Sequence, residues 1–193
     1  MKIGVLGLQG AVREHLWALE KCGVETIVAK KSEDLADLAG LVIPGGESTT
    51  VGKLLVRFGL LEPIKERVRQ GMGIFGTCTG MILLAKEIRG SDQPRLGLMD
   101  LTIERNAFGP QVESFEMELP VPVLGEEPYH AIFIRAPYAV AAGPGAEVLA
   151  ELNGKIVLAR QGKLLGAAFH PELTDDLRIH KLFLSMLAEK TGV

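Results

Sequence analysis

Cys78 is flanked by glycines in the stretch Gly76–Gly80, which reads GTCTG and joins two apolar segments. A nucleophile in a G-x-Nu-x-G pattern is typical of the nucleophile elbow, a strand-to-helix turn so sharp that only glycine fits on either side. Such a turn exposes the sulfur near the positive end of a helix, which stabilises the thiolate. The pattern therefore predicts a catalytic Cys78. A small buried thiol is the alternative, because buried free cysteines are common.

A cysteine nucleophile needs a base, and His170 is the histidine best placed to act as one. It ends the strand pattern KLLGAAFH and is followed by Pro171 and Glu172. Residues i and i+2 of an extended segment point the same way, so Glu172 can orient the imidazole, while Pro171 disfavours a helix. An isolated histidine in this setting is more often bonded to backbone at a strand end. Together with the elbow, however, the pattern predicts a triad of Cys78, His170 and Glu172.

Acyl transfer also needs hydrogen-bond donors for the oxyanion. The stretch PGGESTT, residues 44–50, follows the predicted strand LVIP and forms a second strand-to-helix turn. We expect the amide of Gly46 to be one donor of the oxyanion hole and the amide of Thr79, directly after the nucleophile, to be the other. A plain glycine-rich turn is the alternative reading if Cys78 is not catalytic.

The remaining histidines and the other motifs give weaker signals. His15 and His180 lie on predicted helices, where we expect surface or packing roles, and His130 lies in a predicted loop without an evident carboxylate partner. No HExxH motif or cluster of His and Cys indicates a metal. The stretch 71–76 fits G-x-G-x-x-G, but its glycines run through a predicted strand instead of following one. We therefore expect no metal and no cofactor.

Strand and helix patterns alternate along residues 1–90, and these elements must position the reactive residues. Strand patterns cover 2–8, 24–29, 41–44 and 73–77, and helix patterns cover 11–21, 32–38 with Ser32 as the cap, 49–70 with interruptions near Gly59 and Pro63, and 81–88. Such alternation is typical of a parallel sheet covered by helices on both faces.

The second half of the chain has a different pattern. Strands are predicted at 96–105, 114–119 and 131–136, hairpins turn at 153–154 and 161–162, and an amphipathic helix covers 176–190. The sequence therefore predicts an α/β fold, a three-layer sandwich with a mainly parallel central sheet and an antiparallel extension in the C-terminal half.

Size and composition limit the classes of function. At 193 residues the chain suffices for one substantial core, so we expect residues 1–193 to form a single domain. The net charge of −3 gives no electrostatic reason to expect nucleic acid or an anionic membrane as a partner. No segment approaches the ~18 apolar residues of a membrane span. Cys22 and Cys78 form no disulfide framework, which favours a reducing cytoplasm.

Collinear stretches of the chain resemble the class I, triad-type glutamine amidotransferases, and among them the glutaminase subunits of pyridoxal 5'-phosphate synthase. These stretches are LQGAVREH (8–15), PGGESTT (44–50), FGTCTG (75–80), ERNAFGPQVESFE (104–116), FIRAP (133–137) and FHPELT (169–174). The elbow and the H-P-E triplet are shared by many amidotransferases, whereas the first and fourth stretches resemble the glutaminase subunits of pyridoxal 5'-phosphate synthase in particular. Thr79 departs from the family pattern, which more often has alanine. Because this position would contribute its amide, we expect little effect.

The resemblance implies hydrolysis of L-glutamine to L-glutamate and ammonia by attack of Cys78 on the side-chain amide. By the same resemblance, the glutamine is held by Gly46, Glu47, Ser48, Arg105, Ile134 and Arg135. The ammonia passes to a separate synthase subunit in a hetero-oligomeric complex. Pyridoxal phosphate is the product of that subunit and is not a cofactor of this chain. We expect residues 8–15 to form the docking surface, because they are predicted beside the crevice.

Other functions remain open at this point. An amidotransferase subunit of another pathway, such as imidazole glycerol phosphate synthesis, has the same triad. A non-catalytic binding domain could retain the fold, although the intact Cys78, His170 and Glu172 count against it. A reactive-cysteine hydrolase with the same elbow would act on other substrates and would need no partner.

Overall fold

A computed structural model of the chain describes residues 1–105 and 114–189. Most of the fourth resemblance stretch and residue 190 of the last predicted helix lie outside the described residues. The strands are β1 (Lys2–Leu6), β2 (Glu25–Ala29), β3 (Gly40–Ile43), β4 (Gly73–Thr77), β5 (Ala85–Ile88), β6 (Met99–Glu104), β7 (Ser114–Leu119), β8 (Tyr129–Ile134), β9 (Tyr138–Ala142), β10 (Glu147–Leu152), β11 (Lys155–Gln161) and β12 (Leu164–Ala167). The α-helices are α1 (Val12–Lys21), α2 (Ser48–Arg57), α3 (Leu61–Arg69), α4 (Thr79–Leu84) and α5 (Arg178–Ala188), and short 3₁₀ helices span Ser32–Leu35, Pro122–Leu124 and Pro171–Leu173.

The strands form one large mixed sheet and one small hairpin. The large sheet has the order β2-β1-β3-β4-β12-β11-β9-β6-β5, and β10 pairs with β11. Neighbours from β2 to β12 are parallel, the pairs from β12 to β6 are antiparallel, and β5 is again parallel to β6. β7 and β8 form a separate antiparallel pair. The predicted parallel sheet with an antiparallel extension is confirmed.

Helices cover both faces of the sheet, as the contacts of two successive residues of β4 show. Phe75 packs against Phe183 of α5 with ring centroids 5.5 Å apart and against His15 of α1 at 6.1 Å. A Cβ atom on Gly76 would lie 2.4 Å from the carbonyl carbon of Gly80 in α4. Because successive strand residues point to opposite faces, α1 and α5 cover one face and α4 covers the other. This arrangement gives the predicted three layers.

The predicted turns at Gly59 and at Asn153–Gly154 are confirmed, whereas the predicted interruption near Pro63 is wrong. Gly59, with φ +63°, separates α2 from α3. Pro63 does not interrupt a helix, because it lies in the first turn of α3, where an amide proton has no intrahelical acceptor. Asn153 and Gly154 have φ values of 51° and 74°, as a type I′ hairpin requires, and they join β10 to β11 as predicted.

Two further local predictions were wrong. The segment 81–88, predicted as one helix, ends its helix at Leu84 and continues as β5. Pairing of β5 with β6, including Ile88 opposite Ile103, overrides a local pattern that is compatible with a helix. Ser32 does not cap a helix. The carboxylate of Asp34 instead accepts hydrogen bonds from the amides of the two preceding lysines, at 2.9 and 3.1 Å.

Across residues 1–105 and 114–189, none of the helices combines the length and apolar character that crossing a bilayer requires.

Candidate active site

Cys78 lies in a sharp turn between β4 and α4, with φ 49° and ψ −103°. A positive φ is sterically costly for a residue with a side chain. A Cβ atom on Gly76 would lie 2.4 Å from the Gly80 backbone, and one on Gly80 would lie 2.2 Å from the carbonyl oxygen of Ile43. Both glycines are therefore required by backbone packing, and the predicted sharp turn is confirmed, although Cys78 is only 7% exposed and not open to solvent as predicted.

His170 contacts Cys78 on one side and Glu172 on the other. Its Nδ1 donates to Oε1 of Glu172 at 2.8 Å, and its ring lies beside Cys78 in the lining of the same pocket, where both flank Gly45. The backbone amide of His170 donates to the carbonyl oxygen of Ile132 at 2.8 Å, which ties this segment to β8. The structure thus brings together the three side chains that the sequence predicted as a triad.

The backbone between His170 and Glu172 differs from the extended conformation that was predicted. Pro171 begins the 3₁₀ helix Pro171–Leu173, because proline suits the first position of a helix, where its missing amide proton costs nothing. Glu172 is buried, with 4% of its surface exposed, and it still reaches the imidazole. The contact was therefore predicted correctly from incorrect backbone geometry.

The electrostatic environment favours a charged His170 beside a charged Glu172. Burial lowers the pKa of His170, but hydrogen bonds and charge interactions with Cys78 and Glu172 outweigh it and raise that pKa to about 10. Burial likewise opposes ionisation of Glu172, yet the neighbouring His15 and His170 hold its pKa below the usual value. The imidazole can therefore carry a proton next to the nucleophile at neutral pH.

A pocket of about 350 Å³ opens in front of Cys78 and His170. Its lining consists of Gly46, Glu47, Ser48, Cys78, Thr79, Ile82, Arg105, Ile134, Arg135 and His170. Every residue that the resemblance assigned to glutamine binding lies in this lining, although the residues come from distant parts of the chain. Ile82, on α4, was not predicted.

The glycine-rich turn after β3 is held by contacts from two sides. Gly46 has φ +156°, and a Cβ atom there would lie 2.7 Å from Oε1 of Gln9. The same Gln9 oxygen accepts a hydrogen bond from the Glu47 amide at 2.7 Å, and the Thr79 hydroxyl donates to the Gly46 carbonyl oxygen. The two residues predicted for the oxyanion hole are therefore in direct contact.

Glu47 caps α2 with its side chain. Its carboxylate accepts hydrogen bonds from the amides of Thr49 and Thr50 at 3.0 and 2.8 Å and from the Thr50 hydroxyl at 2.7 Å. The hydrogen bond from the Thr50 hydroxyl, followed by that from the Thr49 amide, lowers the pKa of Glu47 to about 2. Although Glu47 lines the pocket, its carboxylate is occupied by the helix end.

Sequence reasoning missed Gln93, which organises two residues of the pocket. Its Oε1 atom accepts hydrogen bonds from Arg105 Nη1 at 2.9 Å and from the hydroxyls of Ser48 and Thr49 at 3.3 Å. Gln93 is 7% exposed and lies in the loop between β5 and β6. No local pattern marks this glutamine, since its role depends on three segments that meet only in the fold.

Of the other histidines, His15 and His180 agree with the packing alternative, whereas His130 differs from its prediction. His15 and His180 are fully buried, and Nε2 of His15 lies 3.4 Å from Oε2 of Glu172. His130, predicted in a loop without a carboxylate partner, lies in β8, and its two ring nitrogens are each 2.8 Å from a carboxylate, that of Glu118 or Glu116 on β7. The prediction for His130 was wrong because cross-strand pairing with β7 supplies the carboxylates.

Within the described part of the chain, no group of His, Cys, Asp and Glu side chains is arranged to hold a metal ion. Cys22 and Cys78 are both free thiols.

Comparisons with known proteins agree with this geometry. Residues 5–189 match the SNO glutamine amidotransferase family. The chain is 64% identical to pyridoxal 5'-phosphate synthase subunit PdxT of Pelotomaculum thermopropionicum, over 95% of this chain and 94% of that protein. It is 59% identical to PdxT of Moorella thermoacetica, over 97% of this chain and all of that protein. A solved structure described as a glutamine amidotransferase superposes with a TM-score of 0.91 at 50% identity, covering 97% of this chain and 99% of that one. On the strength of these matches, the chain belongs to the SNO glutamine amidotransferase family.

Proposed function

We propose that this chain hydrolyses L-glutamine to L-glutamate and ammonia and supplies the ammonia to the synthase subunit of pyridoxal 5'-phosphate synthase. The placement of Cys78 beside His170 at the wall of a pocket, with His170 hydrogen-bonded to Glu172, carries this proposal. The substrate and the pathway come from the PdxT relatives, the nearer of the two being 64% identical. Residues 1–193 act as one glutaminase domain.

In the first half of the reaction, His170 takes the proton of the Cys78 thiol, and the sulfur attacks the side-chain amide carbon of glutamine. A C–S bond forms, and the negative charge moves to the amide oxygen, where the amides of Gly46 and Thr79 stabilise it. Thr79 begins α4, so its N–H has no intrahelical acceptor and is available to the oxyanion. The protonated His170 then gives its proton to the departing nitrogen, the C–N bond breaks, and ammonia leaves a thioester behind.

In the second half, water hydrolyses the thioester. His170 takes a proton from the water as its oxygen attacks the carbonyl carbon, and the C–S bond breaks to release glutamate and restore Cys78. Glu172 holds Nδ1 of the imidazole and stabilises its protonated form in both halves, without taking the proton itself.

The remaining pocket residues hold and orient glutamine. Arg105, fixed by Gln93, and Arg135 supply the positive charge that suits the substrate's α-carboxylate. The carboxylate of Glu47 is engaged at the end of α2 and its amide donates to Gln9, so Glu47 shapes the pocket by its position and Gly46 serves the substrate through its amide. Ser48 and the backbone of Ile134 complete the pocket.

The synthase subunit is the partner because free ammonia released into solvent would be protonated and lost. Residues 8–15 remain our docking surface: Gln9, Gly10 and Arg13 are exposed, and Gln9 holds the Glu47 amide at the pocket. His15 is buried and takes no part in docking. Two free thiols suit a cytoplasmic location for the complex.

Release of glutamate, measured with and without the synthase subunit, tests this function. We expect turnover that depends on the synthase, and we expect Cys78→Ala to lower it by at least ~10³-fold while the complex still forms, since the nucleophile is removed but the surface is not. Complex formation by the variant, measured by size-exclusion chromatography, is the control. Unchanged glutamate release by Cys78→Ala would refute the proposal.

A further inference from the structure

A series of neighbouring, buried polar side chains continues from Glu172 into the core. Nε2 of His15 on α1 lies 3.4 Å from Oε2 of Glu172 and 3.1 Å from the hydroxyl of Thr77. Nδ1 of His15 lies 3.0 Å from Nε2 of His180 on α5. Both histidines are fully buried. Glu172 therefore has one oxygen on His170 and the other facing His15.

The far end of this series of polar side chains, at Nδ1 of His180, determines which ring nitrogens carry protons. Among the described residues, Nδ1 of His180 has no hydrogen-bond partner. Burial, and then the nearby His15, lower the pKa of His180 to about 3, so its ring is neutral and carries one proton. A proton on the partnerless Nδ1 would be a buried donor without an acceptor and would leave Nε2 without a proton to share. The proton of His180 therefore lies on Nε2, which donates to Nδ1 of His15.

The tautomer of His15 follows from that of His180. Burial lowers the pKa of His15, so this ring is also neutral. Because its Nδ1 accepts from His180, its proton lies on Nε2, which points towards the Thr77 hydroxyl and Oε2 of Glu172. The opposite tautomer would place a lone pair of His15 against the carboxylate. Glu172 then has the Nδ1–H of His170 at Oε1, while its Oε2, which has no hydrogen-bond partner among the described residues, faces the Nε2–H of His15 at 3.4 Å.

We propose that His15 is a positioning residue of the triad and that His180 selects its functional tautomer, an inference that rests on the function proposed above. The Nε2–H group of His15 is the nearby positive end of a dipole that attracts the otherwise unpartnered Oε2 of Glu172 across 3.4 Å, which favours the orientation with Oε1 on Nδ1 of His170. The carboxylate can then neither rotate away nor become protonated as the imidazole gains and loses its proton.

Among the described groups around His15 and His180, the buried carboxylate is that of Glu172. Glu172 and Glu14 act on His15 to raise its pKa and His170 acts to lower it, but burial is the largest influence and keeps the ring neutral. Tyr129 also faces Glu172, and burial raises its pKa, so its phenol stays uncharged. His15 therefore acts through its donor group and not through a positive charge.

Replacement of His15 in the complex with the synthase subunit tests the positioning role. We expect His15→Leu to lower kcat for glutamate release by roughly tenfold or more, with an unchanged KM for glutamine. Loss of a donor to the carboxylate raises the pKa of Glu172, so the acid limb of the pH profile moves to higher pH. His15→Gln, whose amide offers a donor, should restore most of the rate and the original limb.

The matched control is Ile179→Val, which trims a buried side chain of α5 beside His180. We expect this variant to lose stability but to keep the wild-type acid limb. A His15→Leu variant that loses no more activity than Ile179→Val and keeps the same acid limb would overturn the positioning role.

Nitrogen NMR of the wild-type chain labelled with ¹⁵N-histidine tests the tautomers without any replacement. Two-bond ¹H–¹⁵N correlations at pH 7 should show His15 and His180 as neutral rings protonated on Nε2. A protonated Nδ1 on His15, or a charged His15 ring, would overturn the inference. This outcome is independent of the glutaminase assay, so failure of the tautomer assignment and failure of the proposed function can be told apart.

Discussion

Two strand-to-helix turns lie side by side at one edge of the sheet, and they are held in different ways. β3 and β4 are parallel neighbours, so the turns that follow them reach the same pocket. At Cys78 no side chain caps the helix, and glycines pressed against backbone fix the turn. At Glu47 the carboxylate accepts hydrogen bonds from the first amides of α2, and Gln9 and Thr79 hold the backbone of the loop.

The turn at Cys78 is therefore rigid, whereas the loop at Glu47 is held by side-chain hydrogen bonds that water can replace. Contact between two backbones cannot be relieved by rotation of a side chain, so the Cys78 turn tolerates no added atom. A lost side-chain hydrogen bond at the exposed Glu47 leaves amides that water can reach, so its cost is modest. Replacements at the two turns should therefore differ in both size and kind.

The largest effect is expected at Gly80, which lies within α4. Helix propensity alone predicts that Gly80→Ala would stabilise the protein by about 1 kcal/mol. The new Cβ would lie 2.2 Å from the Ile43 carbonyl oxygen, so we expect instead a loss of about 1–3 kcal/mol in the free energy of unfolding. Urea denaturation measures this, and displacement of Cys78 should lower kcat by about 100-fold.

Gly145→Ala serves as the control for Gly80→Ala. The nearest atoms to a Cβ at Gly145 would be the side-chain amide of Gln161, 3.3 Å away, and the end of a side chain can shift by a few tenths of an ångström where a backbone carbonyl cannot. We expect this variant to keep wild-type activity and stability within about 0.5 kcal/mol. A stabilised Gly80→Ala protein would mean that the elbow is not fixed by backbone packing.

A smaller effect is expected at the other turn. Glu47→Ala removes the cap of α2 and should lower the free energy of unfolding by about 1 kcal/mol at neutral pH. Because the pKa of Glu47 is lowered to about 2, its contribution is present above pH 4.5 and is lost as the pH falls towards 2. The stabilities of the wild-type and variant proteins, followed by urea denaturation from pH 7 to pH 2, should therefore converge in acid.

Glu62→Ala is the control for Glu47→Ala, since Glu62 is an exposed acid in the first turn of α3 that pairs with Lys65. It should cost only a few tenths of a kcal/mol. A gap between the wild-type and Glu47→Ala stabilities that stayed constant from pH 7 to pH 2 would contradict capping by the ionised carboxylate.

The same contrast explains what could be predicted from sequence. The nucleophile turn could be predicted because its requirement for Gly76 and Gly80 is local and each glycine is visible in the chain. The parallel half of the sheet could be predicted for a similar reason, because its strand and helix patterns alternate over short distances. His170 and Glu172 are two positions apart, so their contact survived an incorrect prediction of the backbone between them.

Contacts that depend on distant segments could not be predicted. His15 and His180 are 165 positions apart, and neither helix pattern distinguishes a buried polar chain from ordinary packing. The segment 85–88 suits a helix until β6 provides a strand to pair with. Gln93 acquires its role only where Arg105 and Ser48 meet it.

The smallest effect is expected at Thr79, where the two turns touch. The sequence suggested that only the amide of Thr79 matters, but its hydroxyl donates to the Gly46 carbonyl oxygen. Thr79→Val keeps the volume of this buried side chain and removes the donor. Because a neutral hydrogen bond contributes about 1 kcal/mol net, we expect kcat/KM for glutamate release to fall by about two- to fivefold in the complex with the synthase.

Thr79→Ser distinguishes loss of this bond from a change in packing, because serine keeps the hydroxyl and removes a methyl group. If the hydroxyl aligns the two halves of the oxyanion hole, Thr79→Ser retains wild-type kcat/KM and Thr79→Val does not. Equal losses in both variants would mean that the methyl group, not the bond, matters. The loop after β3 would then be held by Gln9 alone, and the oxyanion donor from Gly46 would be set independently of the nucleophile turn.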